Sequence, residues 1–173
     1  MTARGSTGGR ARWSAAVAAV LLAGALTVAP AKPAGAAPFC GITWGSLPKQ
    51  ASPYTGAPVT SVRAGRHACF DRMVVDLQAV PHAGYRVRYV TEVVQDGSGA
   101  VVPVRGGARL QVAVHAPAYD RNWWPTYWPA NAAEAVDVRG HDTFRQVRYL
   151  GSFEGTTSFG LGVRARLPFR VFV

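Results

Sequence analysis

Tyr85-Arg86-Val87-Arg88-Tyr89-Val90-Thr91-Glu92-Val93-Val94, followed after Gln95 by Asp96-Gly97-Ser98-Gly99, is the stretch that decides how the rest of this chain reads. Tyr85, Val87, Tyr89, Thr91 and Val93 share one parity, and Arg86, Arg88 and Glu92 share the other. A period of two marks a strand with one face on a core and the other in water. The Asp-Gly-Ser-Gly run tolerates left-handed backbone and turns the chain, so residues 100–104 are placed to pair back across it.

The same pattern extends in both directions. Residues 70–77 form an earlier strand-like run in which Asp71 and Asp76 fall on opposite parities, which predicts a bulge or an end effect. After Gly106-Gly107, Leu110, Val112 and Val114 lie on one face with Gln111 and Ala113 between them, and Pro117 ends the run. Further short strands are predicted at 135–139 and 144–150. Residues 151–162 are punctuated by glycine with Phe153, Phe159 and Leu161 as apolar anchors, and 167–173 form a hydrophobic run broken by Pro168. No segment keeps a helical period over ten residues; the best candidate, 131–136, would give one or two turns. Short strands separated by Gly and Pro turns predict an all-β fold, a small β-sandwich of two antiparallel sheets.

The first 36 residues have the parts of a secretory signal peptide. Arg4, Arg10 and Arg12 precede an Ala/Val/Leu run from 14 to 28, and Ala34-Gly35-Ala36 offers a cleavage site. That run is short against the roughly 20 residues a spanning helix needs, so no stable membrane insertion is expected after cleavage. Residues 37–66, rich in Pro, Gly, Ser, Thr and Ala, read as an irregular arm, and 67–173 as the sandwich domain. The whole chain carries a formal charge of +10. Cleavage would leave fifteen basic against nine acidic residues, a formal +6. The positives are spread singly, which favours anionic wall polymer over nucleic acid. Cys40 and Cys69, an even count in an exported chain, are expected to form a disulfide that tethers the arm.

Nothing in the sequence argues for catalysis. His67, His82, His115 and His141 are too far apart to share a helix face as metal ligands, there is no Gly-x-Ser-x-Gly elbow, and the glycine-rich spots lack the lysine of a phosphate loop. No enzyme activity, cofactor or metal is therefore expected. One local feature rises above background. Tyr119, Trp123, Trp124, Tyr127 and Trp128 crowd into ten residues beside Asp120, Arg121, Asn122, Pro125 and Pro129. Such a loop suits stacking on sugar rings or anchoring a protein interface. The other reading is a lid of tryptophans folded over the open end of the core.

Several segments together resemble the AMIN-like domain family of exported actinobacterial proteins. They are 40–49 (CGITWGSLPK), Gly65-Arg66-His67 with Cys69-Phe70-Asp71-Arg72, Gly84-Tyr85-Arg86-Val87 with Tyr89-Val90, Asp96-Gly97-Ser98-Gly99, and Gly151-Ser152-Phe153-Glu154-Gly155 running on to Phe169-Arg170-Val171-Phe172. The resemblance implies a two-sheet sandwich outside the membrane, without catalysis of its own. By analogy with AMIN modules it also implies association with peptidoglycan. The expected partners are thus cell-wall polymer or, alternatively, an envelope protein. The family usually continues past Phe-Arg-Val-Phe into a final strand, so a sheet lacking its C-terminal edge strand is expected here.

Overall fold

A computed structural model of the chain describes residues 38–78 and 82–173; the expected signal peptide lies outside them. The elements in chain order are β1 (Lys49–Ala51), β2 (Val59–Arg66), β3 (Asp71–Leu77), β4 (Tyr85–Val90), β5 (Val93–Val94), β6 (Val101–Val102), β7 (Ala108–Val114), a 3-10 turn (Ala132–Glu134), β8 (Phe144–Phe153) and β9 (Thr156–Val163). Five of the strands make one antiparallel sheet in the order β1-β4-β7-β9-β8, and β2-β3 and β5-β6 are separate pairs. The fold is an all-β sandwich.

Register explains which residues form the core. Val87 pairs with Val112, Val112 with Phe159, and Phe159 with Tyr149, so one row crosses four strands on the same face. Tyr89, Leu110, Leu161 and Val147 make the next row. Val62, Ala64, Met73 and Val75 of the β2-β3 hairpin close over this face. Phe159 and Val147 are left with no exposure at all. Burying a phenylalanine side chain in this way contributes about 1.5–3 kcal/mol.

The opposite face is built differently. Its rows read Arg88, Gln111, Gly160, Arg148 and Val90, Arg109, Gly162, Gln146. The segment carrying β5 and β6 crosses this face, and Val93, Val104 and Leu150 form a second small core there. It can come so close because Gly160 and Gly162 have no side chains: a Cβ on Gly162 would lie 1.8 Å from the Arg105 carbonyl oxygen. Two glutamines then act as surrogate backbone. Gln111 bonds both the N–H and the C=O of Val94, and Gln146 Oε1 accepts from the Arg105 N–H at 2.6 Å. Buried amides on a covered sheet face are tolerable only when paired in this way.

Several details differ from the sequence reading. Residues 37–66 are not irregular throughout: Lys49–Ala51 and Val59–Arg66 are strands. A register shift between Val59 and Ser61 breaks the parity of β2, and small residues on its inner face hide what remains. The run from Tyr85 does not continue unbroken to Val94 but bends at Thr91-Glu92, which turns β5 onto the second face. Residues 135–139 form no strand; only Val136 bridges to Val147, after a 3-10 turn capped by the Asn131 side chain. Phe169 to Val173 form no strand edge either. The Phe169 N–H donates to the Gly45 carbonyl at 2.8 Å, and its ring packs edge-on against Tyr89 under the Lys49 ammonium. The strands bounding the large sheet are β1 and β8.

Cys40 and Cys69 are bonded, with Cα atoms 6.3 Å apart, within the range disulfides span. The bond ties the first described residues to the β2-β3 turn. The opposed parities of Asp71 and Asp76 prove to be an end effect. Asp76 faces outward and takes a two-pronged ion pair from Arg63. Asp71 opens β3 and fastens the hairpin to β8: its Oδ2 accepts from the Thr143 N–H (2.5 Å), the Thr143 hydroxyl (2.6 Å) and the Phe144 N–H (3.1 Å). Burial alone would raise the Asp71 pKa, but these three donors outweigh it and hold the carboxyl below its ordinary value. A carboxylate depressed on folding stabilises above its unfolded pKa and loses that contribution as pH falls through the folded one. Asp71→Asn is therefore expected to lower Tm at neutral pH, and the gap from wild type should close as the solution is acidified below about pH 4. Melting curves from pH 7 to pH 2 check this; a gap that stays constant would show the charge is irrelevant.

Candidate functional site

Beyond β7 the chain forms the aromatic loop, and its stem is tightly pinned. Ala116, Pro117 and Ala118 are buried, and the Ala118 N–H donates to the Ser152 hydroxyl. Tyr119 bridges to Pro125 across a small hairpin. Asp120 Oδ1 accepts from the N–H groups of Asn122 (2.8 Å) and Trp124 (3.0 Å), and the Asp120 N–H donates to the Trp124 carbonyl. At the base, the Thr126 hydroxyl donates to the Val59 carbonyl and its N–H to Ala118.

The five aromatic residues part into two groups. Tyr127 turns inward, packing edge-on against Tyr149 with ring centres 5.5 Å apart and touching Phe159. Burial raises the pKa of Tyr127, while burial and the neighbouring Tyr127 push Tyr149 up to about 12, so both are neutral packing residues. Tyr127 thus covers the core, the place that the lid reading gave to the tryptophans. Trp123, Trp124 and Trp128 are 76%, 70% and 73% exposed. Tyr119 is half-buried between the groups: its ring stacks on Trp123 at 4.9 Å and its hydroxyl accepts the Gly155 N–H at 3.1 Å. Trp128 leans edge-on against Tyr149. Trp123 has φ +66°, a left-handed backbone that costs a residue with a side chain about 1–2 kcal/mol. Strain of that size, held by the Asp120 hydrogen bonds, aims an apolar ring at solvent.

A second feature escaped sequence reasoning. On the arginine-bearing face of β4, bounded on one side by Val94, Asp96 and Gly97 of the β5-β6 segment, lies a cleft of about 350 Å³. Arg86 and Arg88 form one wall, and the β8-β9 turn at Phe153 to Thr156 forms another. Tyr54 reaches in from the segment after β1 and stacks flat on His115, with ring centres 4.3 Å apart. Parity alone puts Arg86 and Arg88 on one face, but nothing local reveals that Tyr54 and Phe153 enclose it. The other histidines pack on aromatic rings, His67 on Phe70 and His141 on Phe144, and His82 is exposed. Among the described residues no three His, Cys, Asp or Glu side chains are grouped to hold a metal.

These observations define a class: a disulfide-tied, all-β module that displays a hydrogen-bonded aromatic loop. A family model for the AMIN-like domain matches residues 57–173, and the chain belongs to that family. The match takes in β2 and runs to the last residue. It supports a module related to the cell envelope. Neither curated proteins nor solved structures yield a match.

Proposed function

We propose that the protein is an exported, non-catalytic module of the cell envelope that associates with peptidoglycan through Trp123, Trp124 and Trp128. The observation that carries this reading is the exposure of three tryptophans, each above two thirds, on a loop held by hydrogen bonds from the Asn122 and Trp124 N–H groups to Asp120 and from the Thr126 hydroxyl to the Val59 carbonyl. Large aromatic surface exposed in a fixed conformation is unfavourable in isolation and favourable once flat apolar rings, such as sugar faces, cover it. Export is supported by the signal-like first 36 residues and by the Cys40–Cys69 bond, which persists in oxidising compartments.

Sedimentation with purified insoluble peptidoglycan tests the reading. The secreted protein should pellet with the polymer and stay largely bound in 0.5 M NaCl, roughly, because stacking is not screened as exposed charges are. A protein that remains in the supernatant, or that salt strips completely, would remove peptidoglycan stacking from the account and favour an envelope protein as partner.

A further inference from the structure

We propose that the Arg86–Arg88 cleft is a second binding site, specific for an oxyanion (carboxylate or phosphate) on the polymer whose sugars occupy the tryptophan loop. The pairing of the two sites rests on the wall-polymer reading; the oxyanion site itself rests on the cleft.

Four of the nine carboxylates are spent in ion pairs elsewhere: Asp76 with Arg63, Asp142 with Arg66, Glu134 with Arg105 and Asp137 with Arg139. Arg86 and Arg88 have no ion-pair or side-chain hydrogen-bond partner among the described residues, although two carboxylates stand in the same cleft. Asp96 is engaged by the Ser158 hydroxyl, and Glu154 sits on the exposed β8-β9 turn with a left-handed backbone. Two guanidinium groups two residues apart on one strand therefore present up to ten N–H donors on the same side of the sheet. Their planar forks match carboxylate or phosphate oxygens. Carboxylates across the cleft disfavour a ligand that is anionic all along its length, so the site suits a single oxyanion on an otherwise uncharged body.

The β8-β9 turn, one wall of the cleft, also touches the aromatic loop. His115 stacks on Tyr54, and Tyr54 comes within 4.0 Å of where a Cβ on Gly155 would lie. Gly155 donates to the Tyr119 hydroxyl, and Tyr119 stacks on Trp123. Contacts through Tyr54, Gly155 and Tyr119 thus link the arginine cleft to Trp123. One polymer can place sugar rings on the tryptophans while an acidic substituent reaches Arg86 and Arg88.

The test uses the whole secreted protein, calorimetry and three soluble probes: neutral N-acetylglucosamine oligomers, muropeptides bearing free carboxylates, and an N-acetylglucosamine oligomer bearing a single phosphate. Wild type should prefer at least one anionic probe to the neutral oligomer, and which one distinguishes carboxylate from phosphate. Arg86→Gln and Arg88→Gln should each weaken that probe about fivefold, as expected for exposed charge pairs, and the double variant should erase the preference. Binding of the neutral oligomer should be unchanged, which also shows the variants are folded. If wild type ignores the neutral oligomer yet the anionic preference still depends on Arg86 and Arg88, the stacking reading fails and the oxyanion site stands. Equal affinity for charged and neutral probes, or a preference that survives the double substitution, overturns the site.

Discussion

Gly162→Ala is expected to destabilise the fold by about 3 kcal/mol or more, lowering Tm by roughly 10 °C for a domain of this size. The added Cβ would lie 1.8 Å from the Arg105 carbonyl oxygen and 3.0 Å from Val104 Cγ1, and the first of these is backbone that no rotamer change can move. Relief requires the β5-β6 segment to lift from the sheet. That would break the Gln146 bond to the Arg105 N–H and open the Val93, Val104 and Leu150 cluster. Gly160→Ala should be milder, because its nearest neighbours are the Val104 and Val93 side chains at 2.8 Å and 3.0 Å, which have some freedom to yield. Urea or thermal unfolding of both variants checks the order. Equal and small effects would mean that the segment does not depend on those glycines for its close approach.

This second face marks where sequence reading reached its limit. Alternation in Tyr85, Val87, Tyr89 and in Leu110, Val112, Val114 identified the faces that meet in the main core, because period two is a local property. It could not reveal that the other face is also covered. Gln111 and Gln146 look like solvent-facing residues until the chain they bond is known, and a Gly-x-Gly in a strand looks like a flexible turn. Similarly, β2 was hidden by a bulge at Val59/Ser61, and only pairing with β3 makes it visible. The aromatic loop was legible as a cluster. The exposure of its tryptophans was not, since lid and binding surface have the same composition. The arginine cleft brings together residues 54, 86, 115 and 153, a convergence that no local pattern encodes.

The second large effect concerns those tryptophans. Replacing Trp123, Trp124 and Trp128 together with alanine should reduce affinity for insoluble peptidoglycan by at least ~30-fold, the loss expected when even one aromatic anchor of about 2 kcal/mol is removed. Stability should barely change. The three rings are mostly in solvent, and the hydrogen bonds that shape the loop come from Asp120, Thr126 and backbone groups that the substitutions leave in place. Exposed substitutions of this kind usually shift stability by less than about 0.5 kcal/mol each. Tyr127→Ala makes the opposite comparison, because it removes a ring packed on Tyr149 and Phe159 and should lower Tm sharply.

The most direct measurement is peptidoglycan retention and Tm determined on the same preparation of the triple tryptophan variant, beside wild type. Lost retention with Tm within about 5 °C of wild type is the result predicted for a binding surface on an intact fold. Retention equal to wild type would contradict it, and so would a collapse of Tm, which would make the tryptophans part of the core after all.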